Sequence, residues 1–421
     1  MRYRALTALT LVLLWGLAGS AARQTPPSRQ LALAKGESLT IVADGYAIRS
    51  RGHDSDGSFD LYDLTTGRSL WHRDPALARI VSYQALGDTL VLTEQAKVDG
   101  RPAPGTGHTY AVALATGAPL WDRDGSLGLG STPDTVLLYC NGCTRDGVAV
   151  DTRTGALRWQ SPLLRGDSMW ARDELWNVAA DGRMRGVRLA DGVVREIGRL
   201  PAGSQLAGWD ERYLIVIPSS VRSASGATEP TTLRLYDRST LAAAGPPFPF
   251  PARTGGPASM QLCGVHMCAR GTDLTVYDLD GDVAYVKPQF LLSNALNLDG
   301  GQSVLVGVQS GQGGDRTVVL DTATGRQIGD LGRWRALSSE GDRLWVFGGD
   351  WSGAALKVPV ERRGPGSYLG VVVLRPGGLT VTSVTRLDGY YDSCDIGHGW
   401  LLCRDDVRHV AMARRLPVLL G

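Results

Sequence analysis

Residues 148–159, V-A-V-D-T-R-T-G-A-L-R-W, decide the fold. Val148 and Val150 alternate with other residues before the bend, and Leu157 and Trp159 do so after it. This spacing predicts two short strands around Asp-x-x-Thr-Gly. Asp151 can accept hydrogen bonds from backbone amides two residues on, and Gly155 can take the positive φ that ends a type I turn with a bulge. The unit returns as F-D-L-Y-D-L-T-T-G-R-S-L-W (59–71), Y-A-V-A-L-A-T-G-A-P-L-W (110–121) and T-V-V-L-D-T-A-T-G-R-Q-I (317–328). Asp63, Gly67 and Trp71, then Gly117 and Trp121, then Asp321 and Gly325, occupy the places of Asp151, Gly155 and Trp159. Looser copies start at Val187, Leu233 and Leu274.

Gly67, Gly117, Gly155, Gly192, Thr240, Gly281, Gly325 and Gly377 are expected at the equivalent turn position, 37 to 52 residues apart. No amphipathic helix interrupts them. A repeat of about 40–50 residues made of short strands is the mark of a propeller blade. A blade cannot bury both of its faces alone, so blades stack around an axis. Strand groups fall at 31–74, 80–124, 126–162, 163–201, 204–251, 258–289, 290–334 and 335–388, and residues 390–416 supply a further fragment of about three strands. The expectation is one all-β domain over residues 31–417, a β-propeller of about eight four-stranded blades, give or take one. The C-terminal fragment would pair with the segment near Leu31–Ser38, closing the ring and removing a free sheet edge. Gln95–Gly107 reads as a loop, too rich in Gly and Pro for a strand. With Ser219–Pro230 and Asp350–Ser367 it makes up the longest insertions.

The Asp-x-x-Thr-Gly-x-x-x-Trp hairpin of 63–71 and 151–159 resembles the repeat of the pyrroloquinoline-quinone-like (quinoprotein-like) β-propellers, over essentially the whole chain after its N-terminal segment. That resemblance implies the fold. The family includes quinone-dependent alcohol dehydrogenases and non-catalytic scaffolds, among them the periplasmic lipoprotein of outer-membrane barrel assembly. The dehydrogenases are longer, set a disulfide of adjacent cysteines against the quinone, and hold calcium near a catalytic aspartate. No two cysteines are adjacent here and no residue matches those ligand positions, so the resemblance brings no catalytic, cofactor-binding or metal residue with it, and no cofactor.

The chain has 421 residues and a formal charge of +2, with both signs scattered, which leaves no electrostatic footprint for nucleic acid. Nearly all the positive charge is arginine, a bias that fits a GC-rich, actinobacterial-type genome. Arg2 and Arg4 precede an apolar run, Ala5–Ala22, ending in Ser20-Ala21-Ala22. Residues 1–22 read as a secretory signal peptide or, uncleaved, as an anchor helix, followed by a linker over 23–30. Either way the remainder is extracytoplasmic, secreted or held at the outer face of the cytoplasmic membrane.

The six cysteines form three local pairs, Cys140/Cys143, Cys263/Cys268 and Cys394/Cys403, expected as disulfide staples in an exported chain. Cys140-Asn-Gly-Cys143 admits a redox reading too, but Asn-Gly is a turn dipeptide and no helix follows to stabilise a thiolate. Asp54-x-Asp56-Gly57 and Asp278-x-Asp280-Gly281-Asp282 faintly resemble calcium loops, but neither reaches a glutamate at the needed offset. His53, His72, His108, His266, His398 and His409 have no metal-ligand spacing, and there is no nucleophile elbow or phosphate loop. The tryptophans recur at one blade position, which packing between blades explains. These residues point to a monomeric, non-catalytic scaffold whose top-face loops or central funnel bind a protein or envelope polymer. Membrane contact would come only through an uncleaved N-terminus. A quinone-dependent oxidoreductase is the alternative.

Overall fold

The computed structural model describes residues 28–416 apart from 52–57, 75–79, 99–100, 129, 140–145, 165–168, 172, 218–231, 250–258, 299–300, 312–313, 350–365 and 376. Among the described residues every helix or strand is a strand, and these form nine four-stranded antiparallel sheets. Eight sheets take their strands consecutively: blade 1 spans 37–73, blade 2 80–124, blade 3 126–161, blade 4 169–199, blade 5 205–249, blade 6 259–287, blade 7 290–332 and blade 8 335–386. Blade 9 takes three strands from 393–415 and its fourth, Arg29–Ala32, from the other end of the chain. There Arg29 pairs with Ala413 and Ala32 with Val410.

The ring closes through apolar packing. Ile48, Phe59 and Leu61 of blade 1 meet Leu90, Leu92 and Val112 of blade 2 in one buried cluster. Equivalent clusters fill the successive gaps from blade 2 to blade 9. The last joins Trp400, Leu402 and Ala411 of blade 9 to Leu39, Ala47 and Leu64 of blade 1. Middle strands are covered on both faces, which is why Thr135–Tyr139 and Tyr213–Ile217 read as unbroken apolar runs. Outermost strands such as Arg68–Arg73 and Pro119–Asp124 are largely exposed and correspondingly polar.

Two expectations need correction. The propeller has nine blades, not eight or seven. The C-terminal fragment does pair with the N-terminal strand, and the two together make a full sheet, the blade that the count of eight lacked. Gln95–Gly107 is not a loop: the strands Thr89–Val98 and Arg101–Ala113 continue as a hairpin, with Lys97 opposite Pro102 and Val98 opposite Arg101. The fourth strand of that blade begins pairing only at His108, so Pro102 and Pro104 lie where the third strand has a neighbour on one side alone, and a missing N–H costs nothing on the open side. Strand structure begins at Arg29, two residues ahead of Leu31. The expected N-terminal helix falls outside the described residues.

Candidate functional site

The repeated turn works as its residues dictate. Asp63 Oδ1 accepts the amides of Thr65 and Thr66 at 2.7 and 3.2 Å, and Asp151 Oδ1 those of Arg153 and Thr154 at 3.1 and 3.0 Å. Asp321 Oδ1 accepts the Thr324 amide at 2.9 Å. Four residues after the aspartate the backbone turns left-handed, as at Gly155 with φ 66°. In blade 5 the left-handed residue is Leu241, φ 55°, and not Thr240; Asp237 still accepts the amides of Ser239 and Thr240.

The aromatic residue of one blade docks on the turn of the next. Trp71, Trp121 and Trp159 donate their indole N–H to the carbonyls of Leu114, Thr152 and Leu189 at 2.8, 2.8 and 3.0 Å. Each ring covers the turn glycine three residues further on, Gly117, Gly155 or Gly192. In blade 6 Tyr285 takes over, donating to the Thr322 carbonyl at 2.9 Å and covering Gly325. Between blades 7 and 8 the sizes exchange: Gly329 stands at the aromatic position and Leu379 of blade 8 lies over it. Gly67 receives Leu31 from blade 9.

Cys263–Cys268 and Cys394–Cys403 are disulfide-bonded, each joining neighbouring strands of one blade. Cys140 and Cys143 lie outside the described residues, as do Asp54, Asp56 and His53. Asp278 and Gly281 form a tight turn, with the Gly281 amide donating to the Asp278 carbonyl at 3.0 Å, and His266 Nε2 lies 3.2 Å from Asp278. His72 bridges Asp60 and Asp74, and His108 bridges Asp122 and Asp124. Asp60 chiefly raises the basicity of the His72 imidazole. Arg49 links the same Asp60 to Glu37, so a row of paired charges crosses blade 1. Burial and the neighbouring Glu94 push the Tyr110 hydroxyl well above the usual phenol range, while the Arg73 guanidinium sits 3.8 Å over its ring.

Strand direction gives the disc two different faces. The lower face carries the first-to-second and third-to-fourth turns, including every Asp-x-x-Thr-Gly bend. The upper face carries the second-to-third connections and the crossings from blade to blade. The long hairpin of strands 89–98 and 101–113 joins a second to a third strand, so it extends from the upper face; the insertions 219–230 and 350–365 lie outside the described residues. The chain enters its first strand at Arg29 and leaves its last at Arg415 on the lower face, where Arg29 Nε donates to the Thr65 carbonyl at 3.3 Å.

A pocket of about 480 Å³ opens on the upper face between blades 8 and 9. Its blade 8 wall is Arg335, Phe347 and the Gly348-Gly349 end of the second strand; its blade 9 wall holds Tyr390, Asp405 and Arg408. The segment Asp405–His409 holds that wall rigid. Asp405, 6% exposed, accepts the amides of Val407 and Arg408 at 3.1 and 2.8 Å, and His409 takes φ 55° four residues on. This is the geometry of the repeated turn, carried by Asp-x-x-x-His. Asp392 is tied in the same way, accepting the Asp406 amide at 2.7 Å. Burial, with Asp388 and Asp405 nearby, raises the pKa of the Tyr391 hydroxyl, which donates to the Asp388 carbonyl. Of the pocket lining, the sequence pointed only to Ser367, the last residue of the insertion 350–367. The one available signal was an aspartate followed by a polar turn between two strands in the C-terminal fragment.

No family model matches the chain, and no curated protein sequence matches it. Solved structures similar to it include BamB from Moraxella catarrhalis, 14% identical over 93% of this chain and 98% of that one, with a TM-score of 0.40. A eukaryotic initiation factor is 10% identical over 92% of each chain, with a TM-score of 0.46. A europium-containing methanol dehydrogenase is 11% identical over 89% of this chain and 84% of that one, with a TM-score of 0.37. Likenesses this distant carry no argument about activity. The class therefore rests on sheet order and closure: the protein is a nine-bladed β-propeller. Its particular character lies in the upper-face pocket between blades 8 and 9.

Proposed function

We propose that this chain is an exported, non-catalytic β-propeller that acts as a monomeric disc and binds a protein or cell-envelope component through its upper face. One observation carries the reading: the pocket and the long hairpin 89–113 share a face, while the described chain leaves by the opposite one at Arg29 and Arg415. A disc tethered or released by its N-terminus thus presents its most varied surface outward, and loops on a rigid scaffold are the usual place for recognition. Export is supported by the basic-then-apolar N-terminus and by the two disulfides, which persist outside the cytoplasm.

Affinity capture from a cell-envelope extract tests this. A variant lacking residues 96–106 and a lower-face variant, Arg153→Glu, are compared with the unaltered protein. Loss of the captured component with the upper-face deletion alone is expected. Retention with that deletion and loss with Arg153→Glu would overturn the assignment of the face.

A further inference from the structure

We propose that the pocket between blades 8 and 9 receives an acidic, partly apolar polypeptide segment of the partner. Its carboxylate would sit on Arg335 and Arg408, and a neighbouring apolar side chain against Tyr390 and Val407. The inference rests on the binding reading above and names the chemistry of its partner.

Charge comes first. Among the described residues, Arg333, Arg335 and Arg408 line the pocket together with two acids, Asp392 and Asp405. Both acids are already engaged by backbone amides, Asp392 by that of Asp406 and Asp405 by those of Val407 and Arg408 in its own turn. Arg408 reaches Asp405 only at 3.5 Å and its side chain is 64% exposed. Arg335 opens the innermost strand of blade 8, is exposed, and has no acidic partner among the described residues. Arg335 and Arg408 therefore present guanidinium groups to the pocket, and their planar fork matches a carboxylate.

Apolar exposure comes second. Val407 is 84% exposed, more than any other large hydrophobic residue among those described, and Tyr390 is 44% exposed. Val407 stands at the crest of the turn fixed by Asp405, so it is held outward at little cost in ordering when a partner arrives. A bare anion, a phosphate polymer or a polyuronate has no use for an aliphatic side chain at the rim. A polypeptide that alternates acidic and apolar residues uses both. The near-neutral chain as a whole, +2, offers no field for nucleic acid.

The test is fluorescence anisotropy with the intact exported protein. The probe is a labelled peptide of glutamates interspersed with leucine and phenylalanine, set beside its glutamine counterpart and competed with inorganic phosphate and with polygalacturonate. The expected result is that the acidic peptide binds and the glutamine peptide is weaker by about tenfold or more, the scale of one lost charge-assisted contact. Arg335→Gln with Arg408→Gln should weaken the acidic peptide by a similar factor, and Val407→Ser should weaken it without changing its salt dependence. All three side chains are exposed, so an unchanged melting temperature is expected to show the fold intact. Equal binding of the glutamine peptide, indifference to the double arginine variant, displacement by polygalacturonate or phosphate at comparable concentration, or no binding at all would each overturn the proposal. Envelope capture run with the same double variant separates the two readings. A partner retained by that variant leaves the upper-face reading standing while this one falls.

Discussion

Gly155 of blade 3 lies directly against the indole of Trp121 of blade 2, so close that a β-carbon on Gly155 would come within 2.6 Å of the ring. The same indole donates to the Thr152 carbonyl three residues before that glycine. One side chain thus fixes both the spacing and the height of the neighbouring blade. Arg123, two residues along, adds a bond from its Nε to the Gly155 carbonyl at 2.8 Å.

Gly155→Ala should destabilise the protein by about 1–3 kcal/mol, through left-handed strain and the displaced indole acting together. Chemical denaturation checks this as a fall in midpoint. An unchanged midpoint would mean that the blades slide apart freely and that the contact does not set their spacing.

Gly329 and Leu379 should be energetically coupled, because a β-carbon at 329 would lie 2.2 Å from the Leu379 side chain. Gly329→Ala and Leu379→Ala are each expected to destabilise. In the double variant the new methyl enters the space vacated, giving a coupling of about 0.5–3 kcal/mol in a double-mutant cycle. Strict additivity would show that the exchange of sizes across this gap is incidental.

The turn aspartates predict an acid-sensitive fold. The Ser239 hydroxyl first, and then the turn amides, hold Asp237 down at about 2, against an ordinary value of 3.8. Arg158 depresses Asp151 and the Thr324 hydroxyl depresses Asp321. A carboxylate lowered in the folded state leaves the unfolded chain binding more protons between the two values. The stability these groups provide is therefore present above about pH 4 and is lost as pH falls towards about 2. Replacing Asp237 and Asp321 by asparagine should flatten that acid limb in a series of denaturation midpoints. An identical limb would remove these turns from the account.

Removal of residues 96–106 should leave cooperative unfolding intact. That part of the hairpin extends beyond the fourth strand of blade 2, whose pairing starts at His108. A broadened thermal transition would show that the extension packs on the disc after all.

Addition of pyrroloquinoline quinone and calcium is expected to leave both the quinone spectrum and the melting temperature unchanged. A ligand that binds the folded state must raise the midpoint by mass action. A clear rise would therefore favour the oxidoreductase alternative over a scaffold.

The hairpin 148–159 was legible because alternation, an amide-binding aspartate and a left-handed glycine all act within a dozen residues. Thr240 was misplaced because a leucine carries the left-handed turn in blade 5. Only the space over Gly198, where a β-carbon would lie 2.6 Å from Leu241, shows why that side chain has room. Segment 95–107 was misread because its prolines forbid a strand only where both sides are paired.

By itself the sequence determined the repeated hairpin, the position of the tryptophans and the pairing of the two chain ends, since each follows from local turn chemistry or from the need to cover a free edge. Tertiary structure alone decided that those ends complete a ninth blade, and that Arg335 and Arg408, seventy-three positions apart, face one pocket. The number of wedges in a ring and the neighbours across each gap depend on how whole sheets stack, and that stacking leaves no periodicity in any short stretch of chain.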